Sequence, residues 1–282
     1  MAAEPAICET VAPGIARLLA PNPSPYTFTG TQVHLVGEAT LAVIDPGPDV
    51  PGHLEALLAA IGGRPVEAIL ITHTHRDHSP MSRPLAAATG APIIGCAPVD
   101  AASLGDWAET FDTDYVPDRV LADGETITLA GRELTAIATP GHASNHLCFA
   151  DAAAGVLFSG DHVMGWSTSV VLPPDGDMGD YVRSLQKLQQ RSETVYFPAH
   201  GDPVTNPQQL VRGMIGHRMQ REKQVLRLVG EGRATIPDIV AAAYAGIDPR
   251  LSGAARATVW GHLVELAKRG LVIQEGDRWT AK

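Results

Sequence analysis

Cysteine and long apolar runs are scarce in this chain of 282 residues. Its three cysteines, Cys8, Cys96 and Cys148, are an odd number at wide spacings, which excludes a disulfide framework and a CxxC metal site. No run reaches the roughly 18 consecutive apolar residues that a membrane helix needs. We therefore expect a cytoplasmic protein in a reducing compartment, with no membrane partner.

The chain also has fewer basic residues than acidic ones. The chain has 21 Lys and Arg against 31 Asp and Glu, a formal net charge of −10. This balance argues against a surface built to neutralise many phosphates. Residues Met1 to Leu19 hold no early Lys or Arg and no long apolar run, so we expect no secretory signal peptide there.

The hydrophobic content of 45% is ample for a folded core. Alternation of apolar and polar residues between Tyr26 and Asp45, with Gly37 at the turn, predicts an antiparallel hairpin. Apolar runs predict strands at 68–71, 93–94, 126–129, 134–138, 147–150, 156–158 and 195–197. Helical spacing predicts helices at 53–60, 181–190 and 208–228. Strands interleaved with helices predict an α/β sandwich in which helices cover sheets.

The pattern changes after Gly230. Two amphipathic segments, 236–244 and 254–269, precede a hairpin over 271–274 and 278–280, which predicts a winged-helix-like domain. We therefore divide the chain into a catalytic domain, 1–230, and a C-terminal domain, 231–282. The latter holds seven Lys or Arg against six Asp or Glu, too little positive charge for DNA binding. It is expected to pack on the catalytic domain or to mediate homo-oligomerisation.

The run from Thr72 to His78 places three histidines and an aspartate in one short turn. His73 and His75 alternate and leave the strand end on the same side, whereas Asp77 and His78 follow the bend and can face a second ion. Imidazole and carboxylate ligands suit zinc, and also iron or manganese, better than a metal that prefers thiolates. This run is the strongest functional signal in the sequence.

Three further candidates, His142, Asp161 and His200, each follow a predicted strand beside a small residue. Taken alone, such a histidine is more often a loop or capping residue, but the run at His73 favours metal binding. A catalytic zinc has about three protein ligands and an open position, so seven candidates suit two ions. Asp161 is the natural carboxylate to bridge them.

Together these residues resemble the signature of the metallo-β-lactamase superfamily, in particular its glyoxalase II-like branch, over nearly the whole chain. The resemblance implies an αββα sandwich and a metal-dependent hydrolase. It assigns the ligands of the first metal to His73, His75 and His142, those of the second to Asp77, His78 and His200, and the bridge to Asp161.

More narrowly, the segments 21–25 and 29–32 and the winged-helix-like end resemble the lactamase-beta-2-like family. That family includes endoribonucleases, and other relatives are thioesterases acting on acyl-carrier substrates. One departure concerns penicillin hydrolysis. The better-known β-lactamases place a cysteine on the second metal where this chain has Asp161, so we do not expect that activity.

The expected mechanism is attack by a metal-bridging hydroxide on a carbonyl or phosphoryl centre, with Asp77 orienting the nucleophile. Two divalent ions are the expected cofactors, zinc first, with iron or manganese as alternatives. We favour a small-molecule thioester, ester or lactone as substrate. A single-strand endoribonuclease is the alternative, and a non-catalytic metal-binding interaction protein is the weakest of the three hypotheses.

Several residues keep two interpretations. Asp45 either orients a ligand histidine or forms the turn before Pro46. The loop 164–180, with Trp166, is interpreted as a substrate contact, with a surface crossover as the alternative. Four arginines are candidate phosphate partners: Arg76, Arg83, Arg218 and Arg221. The last two and His217 either meet an anionic group or form a solvated face paired with Glu222.

Overall fold

The computed structural model describes residues 7–282. Residues 1–6, to which part of the expectation of no secretory signal peptide applies, lie outside that range. Its strands are β1 (Cys8–Ala12), β2 (Ile15–Leu19), β3 (Gln32–Val36), β4 (Leu41–Ile44), β5 (Val66–Ile71), β6 (Ile93–Gly95), β7 (Arg119–Val120), β8 (Thr126–Leu129), β9 (Arg132–Ala138), β10 (Leu147–Asp151), β11 (Val156–Gly160), β12 (Val195–Pro198), β13 (Val272–Glu275) and β14 (Arg278–Ala281). Its helices are α1 (His53–Ile61), α2 (Ser82–Thr89), α3 (Ala101–Leu104), α4 (Met178–Gln189), α5 (Pro207–Gly230), α6 (Ile236–Ala243) and α7 (Ser252–Lys268), and two short segments, Gly105–Thr110 and Pro249–Leu251, are 3₁₀ helices.

The chain forms two compact units. The first comprises the described residues up to Thr139 together with Asn145–Thr168 and Ser192–Pro207. The second comprises Pro140–Ser144, Ser169–Arg191 and Gln208–Lys282. Each unit is described by itself below.

The first unit contains two mixed sheets. The larger has the strand order β1-β2-β3-β4-β5-β6-β7, antiparallel from β1 to β4 and parallel from β4 onwards. The smaller has the order β12-β11-β10-β9-β8, in which only β11 and β12 run parallel. Parallel neighbours end at the same edge of a sheet, so the loops that follow them are close in space.

The predicted hairpin is confirmed as β3 and β4, which pair antiparallel. Gly37 turns the chain at a φ of 120°, and a Cβ there would lie 2.2 Å from the Thr40 carbonyl oxygen, so only glycine fits. Strands β1 and β2 carry no equally clear pattern and were not predicted. They are held by strand pairing: β2 pairs with β3, where Arg17 lies opposite His34, and β1 pairs with β2.

One apolar cluster takes side chains from both sheets of the first unit. Leu35 and Val43 come from the larger sheet, and Phe149 and Phe158 come from the smaller one, each no more than 1% exposed. The inner faces therefore pack on each other in the manner of a sandwich. Burial of each such side chain contributes about 1.5–3 kcal/mol to the free energy of folding. The two sheets are therefore a stable support for the loops at their ends.

The second unit contains the predicted winged-helix elements. Thr235 caps α6, with its hydroxyl accepting from the Asp238 backbone N–H at 3.3 Å. Strands β13 and β14 form the predicted hairpin, which turns at Gly276 with a φ of 61°. Val259 and Trp279 pack in the apolar core of this unit. The helices and the hairpin thus share one core of their own.

Helix α5 contributes to that core as well, through Val225, Leu228 and Val229, which are at most 4% exposed. These residues precede the boundary drawn from the sequence between 230 and 231. That boundary stays a prediction, but the apolar face of α5 packs against the C-terminal elements. Within the described part of the chain, no helix combines the length and the apolar character needed to cross a membrane.

Candidate metal centre

Three strand ends of the first unit carry predicted ligands. His73 follows β5 of the larger sheet, whereas Asp161 and His200 follow the parallel strands β11 and β12 of the smaller sheet. The turn after β5 is closed by a hydrogen bond from the His78 backbone N–H to the His75 carbonyl, 3.0 Å long. This turn brings the end of the His73 run back towards its start.

Asp77, His78 and His200 form one group, in which the ligand atoms lie within 4.8 Å of one another. Oδ2 of Asp77 is 3.2 Å from Nε2 of His78 and 3.1 Å from Nε2 of His200. The Thr31 hydroxyl donates to the same carboxylate oxygen at 3.2 Å. The two histidines are buried, whereas 26% of the Asp77 side chain is exposed. Asp77 is therefore the member of the group that solvent can reach.

Asp161 lies close to histidines that are predicted to bind different metals. Its Oδ1 is 3.5 Å from Nε2 of His78 and 3.3 Å from Nε2 of His200. The ligand atoms of Asp161, His78 and His73 also lie within 4.8 Å of one another. One carboxylate thus faces a ligand assigned to the first position and two assigned to the second, as a bridging group requires.

Of the three residues predicted to bind the first metal, His73 and His75 lie in this unit. Nε2 of His73 lies 2.9 Å from Nδ1 of His75, and the two rings meet edge to face. His142 belongs to the second unit, where its Nδ1 is 2.6 Å from the Val170 carbonyl oxygen. This bond favours the tautomer that leaves a lone pair on Nε2. Its assignment to the first metal stays a prediction.

Three of the histidines are oriented by acceptors at Nδ1. His78 donates to Asp45 at 3.0 Å, and His200 faces the Gly30 carbonyl oxygen at 3.1 Å. The Nδ1 of His73 lies 3.0 Å from the Thr72 hydroxyl. A proton held at Nδ1 leaves the Nε2 lone pair for a metal, and such a partner also restricts ring rotation.

Asp45 accepts several of the hydrogen bonds that orient these histidines. Its carboxylate accepts from the Thr72 backbone N–H at 2.8 Å and from the Thr72 hydroxyl at 2.7 Å, besides the bond from His78. It therefore acts on His78 directly and on His73 through Thr72. The residue is 2% exposed and has a φ of 48°, an unusual conformation for an aspartate. Of the two interpretations of Asp45, these contacts fit the one in which it orients a ligand histidine.

Charge is concentrated in the group. Burial opposes ionisation of Asp77 and Asp161, but the nearby imidazoles outweigh it and hold the pKa of both carboxyls well below the usual range. Burial likewise opposes the charged form of His200, yet Asp161 and Asp77 raise its pKa to about 10. The pKa of His78 is raised well above its ordinary value by the same carboxylates. Each raised histidine pKa reflects the attraction of the two carboxylates for positive charge, which also favours binding of a metal cation.

The donor set fits divalent metals. Imidazole nitrogens and carboxylate oxygens converge, the rings are oriented by outer partners, and the site lies at the edge of a rigid double sheet. These ligands suit zinc, iron and manganese alike, so the identity of the metal stays a prediction.

The backbone of Asp161 has its own support. His146 accepts the Asp161 backbone N–H at Nε2 over 3.1 Å, and its Nδ1 contacts the Thr139 hydroxyl at 2.8 Å. Gly160 has a φ of 49°, and a Cβ there would lie 2.6 Å from the His146 ring nitrogen. The Gly-Asp pair is therefore needed for the carboxylate to approach the histidines.

Sequence reasoning missed the roles of Thr72, Thr31 and the Gly30 carbonyl. Thr72 adjoins the His73 run, so a hydroxyl next to a ligand was the available signal. The contacts of Gly30 with His200 and of Thr31 with Asp77 join residues far apart in the chain. No local pattern indicates such pairs.

Comparison with known families agrees with this geometry. The model of the metallo-beta-lactamase superfamily matches residues 26–200, and that of the beta-lactamase associated winged helix domain matches residues 235–279. A relative from Caenorhabditis elegans named beta-lactamase-like protein 2 homolog is 30% identical, over 94% of this chain and 88% of its own length. An Aspergillus novofumigatus protein named atrochrysone carboxyl ACP thioesterase is 25% identical, over 84% of this chain and 72% of its own length.

Solved structures show the same fold. A beta-lactamase domain protein from Burkholderia ambifaria superposes with a TM-score of 0.83 at 20% identity, covering 99% of this chain and 95% of that one. A protein crystallised in a di-iron-bound form is 30% identical with a TM-score of 0.52, covering 65% of this chain and 92% of its own. The predicted mixed α/β fold with a winged-helix end is thereby confirmed.

Proposed function

Because the chain belongs to the metallo-β-lactamase superfamily, whose members are generally hydrolases, we propose that it is a dinuclear metal-dependent hydrolase of a thioester, ester or lactone. The observation that carries the proposal is the position of the Asp161 carboxylate, which faces His73, His78 and His200. The structural neighbour crystallised in a di-iron-bound form supports a centre with two ions.

The residues divide the work as follows. His73, His75 and His142 would hold one ion, Asp77, His78 and His200 the other, and Asp161 both. Bound divalent ions supply Lewis acidity, which acidifies water and stabilises negative charge on the substrate. Asp77, the exposed member of the set, would accept a hydrogen bond from the attacking water at a carboxylate oxygen and so orient it. Asp45 and His146 keep these groups in place.

Charge favours an acyl substrate over RNA. A nuclease holds several phosphates with Lys or Arg, and the chain is short of both. In the first unit, Arg83 is paired with the buried Asp112 at 2.9 Å, and Nε of Arg76 donates to the Phe111 carbonyl. Two of the four candidate phosphate partners are thus already engaged in the protein itself. A thioester or lactone needs only a carbonyl at the metals and an apolar wall.

An apolar wall is present beside His200. Phe28 and Trp166 stack with ring centroids 4.9 Å apart, and they are 45% and 38% exposed. Phe28 has a φ of 58°, a strained conformation for an aromatic residue. Trp166 packs on Gly201, where a Cβ would lie 3.0 Å from its ring, and Gly201 directly follows His200. Two aromatic rings are therefore held next to His200, although the backbone of Phe28 is strained.

Replacing Trp166 by Ala should raise KM for a long-chain acyl thioester by roughly 10-fold and leave kcat little changed, because it removes apolar contact rather than chemistry. A short acyl thioester should show a smaller change. The measurement is steady-state hydrolysis of both thioesters. Trp107→Ala is the matched control, since Trp107 is 39% exposed and stacks on no ring among the described residues. Equal effects of the two variants would contradict the assignment.

The aromatic pair also favours the second candidate, a single-strand endoribonuclease, because exposed rings stack on bases. The deciding experiment is single-turnover cleavage of an unstructured RNA and of an acyl thioester by one metal-loaded preparation. We expect faster thioester hydrolysis, lost in Asp161→Ala. Efficient RNA cleavage that disappears in the same variant and exceeds thioester hydrolysis would reverse the ranking.

A further inference from the structure

A cluster of basic side chains in the second unit plays no part in the proposed reaction. His217, Arg218 and Arg221 lie on α5, and His262 lies on α7. Arg218 and His262 are each only 1% exposed, so the alternative of a solvated face does not describe Arg218. Glu222, the expected partner, instead pairs with Arg269 at 2.6 Å. The cluster thus combines two arginines and two histidines, and Arg218 and His262 are buried.

The two guanidinium groups are held by neutral partners. Arg218 donates to the Ser169 carbonyl and lies over the Tyr181 ring, 5.1 Å from its centroid. Arg221 donates to the Gln224 side chain at 2.6 Å and lies 4.0 Å from the centroid of the Tyr244 ring. Among the described residues, no carboxylate lies within ion-pair distance of either guanidinium.

Buried donors in the cluster lack acceptors. Nε of Arg218, Nε of Arg221 and both ring nitrogens of His262 are inaccessible and make no hydrogen bond within the described chain. A buried charged donor that makes no hydrogen bond is costly, because it gives up hydration and gains little in return. Cation–π contacts offset only part of that cost.

The electrostatics of His262 point the same way. Burial is the largest cause, followed by the charges of Arg218 and Arg221, and together they lower the pKa of His262 to about 3. The pKa of His217 is lowered as well, by burial and by the same two arginines. Burial thus has the larger effect on both histidines, and the positive charge of the two arginines adds to it.

We propose that the second unit binds an oxyanion, a phosphate or carboxylate group of a ligand, between Arg218, Arg221 and His262. An oxyanion carries several acceptor oxygens and charge of the required sign, and planar guanidinium donors suit it. Arg221 is partly exposed and His217 is exposed, so these two members of the cluster are in contact with solvent. The site is independent of the hydrolysis proposed above.

The test is a calorimetric titration of the full-length, metal-loaded protein with inorganic phosphate and, separately, with acetate. The two arms distinguish a phosphate-bearing from a carboxylate-bearing ligand. We expect Arg221→Gln to weaken phosphate binding by at least roughly 10-fold. Arg212→Gln, which removes an exposed charge from the same helix, should leave it unchanged. Phosphate held by the metals is common to all variants, so the difference between variants reports the cluster.

Two further observations keep the test decisive. Phosphate should shift the ring nitrogen signals of His262 in NMR spectra of the wild type but not of Arg221→Gln. If circular dichroism shows that Arg221→Gln is unfolded, Arg221→Lys, which keeps the charge but loses the planar fork, should show an intermediate affinity. The proposal would be overturned if the folded Arg221 variants bound both phosphate and acetate as tightly as the wild type does, or if neither anion shifted the His262 signals.

Discussion

Asp161→Ala should reduce the bound metal from two ions per chain to one or fewer and lower kcat/KM on the order of 10³-fold. The expectation follows from the carboxylate that faces His78 and His200 within 3.5 Å and shares a group of ligand atoms with His73. Without it, neither position would keep a complete ligand set, and the site would lose one of its two carboxylates that attract cations. Metal content by elemental analysis and thioester hydrolysis measure the two effects separately.

The matched control is Asp202→Ala, which removes an exposed carboxylate from the loop that carries His200. This variant should keep both ions and full turnover. Two ions and normal hydrolysis in Asp161→Ala would refute the bridging role. Two ions with no hydrolysis in the wild type would leave the metal centre intact and refute the proposed substrates instead.

Asp45→Ala should be the most destabilising single change near the centre. It removes the acceptor of three hydrogen bonds, two from Thr72 and one from His78, and leaves their donors buried. Loss of one partner of such a buried network costs about 3–5 kcal/mol, which lowers Tm by roughly 10 °C in a unit of this size. Metal affinity should fall roughly 10–100-fold, because His78 and His73 are no longer oriented. Thermal denaturation and metal titration are the measurements.

Asp45→Asn separates the two effects. Asparagine tolerates the φ of 48° and can still accept from the Thr72 backbone, but its amide cannot replace the second carboxylate oxygen that accepts from His78. We expect most of the stability to return while metal affinity stays low. If Asn restores both, the role of Asp45 is structural only, and its orienting action on His78 is refuted.

Some features were determined by the sequence alone because their signals are local. Residues 72–78 bring ligands together within one turn, whatever surrounds them. The period of apolar residues indicated most strands and helices to within a few positions, as for α1, where Gly62 ends the helix with a φ of 61°. The winged-helix elements were predicted on the same grounds. The resemblance to the superfamily, now confirmed, rests on these local motifs.

Other features depended on the tertiary structure, because they join residues that no local pattern connects. Strands β1 and β2 form through pairing along the edge of a sheet, and helix α2 was not predicted.

The support of the metal centre and the basic cluster have the same origin. Asp45 reaches Thr72 and His78 only because β4 and β5 are parallel neighbours. The burial of Arg218 could not be deduced from a polar helical segment, since it results from the residues that pack around it. Sequence therefore determined which chemical groups the protein has, and long-range packing decided which of them are oriented, which are buried and which lack a partner.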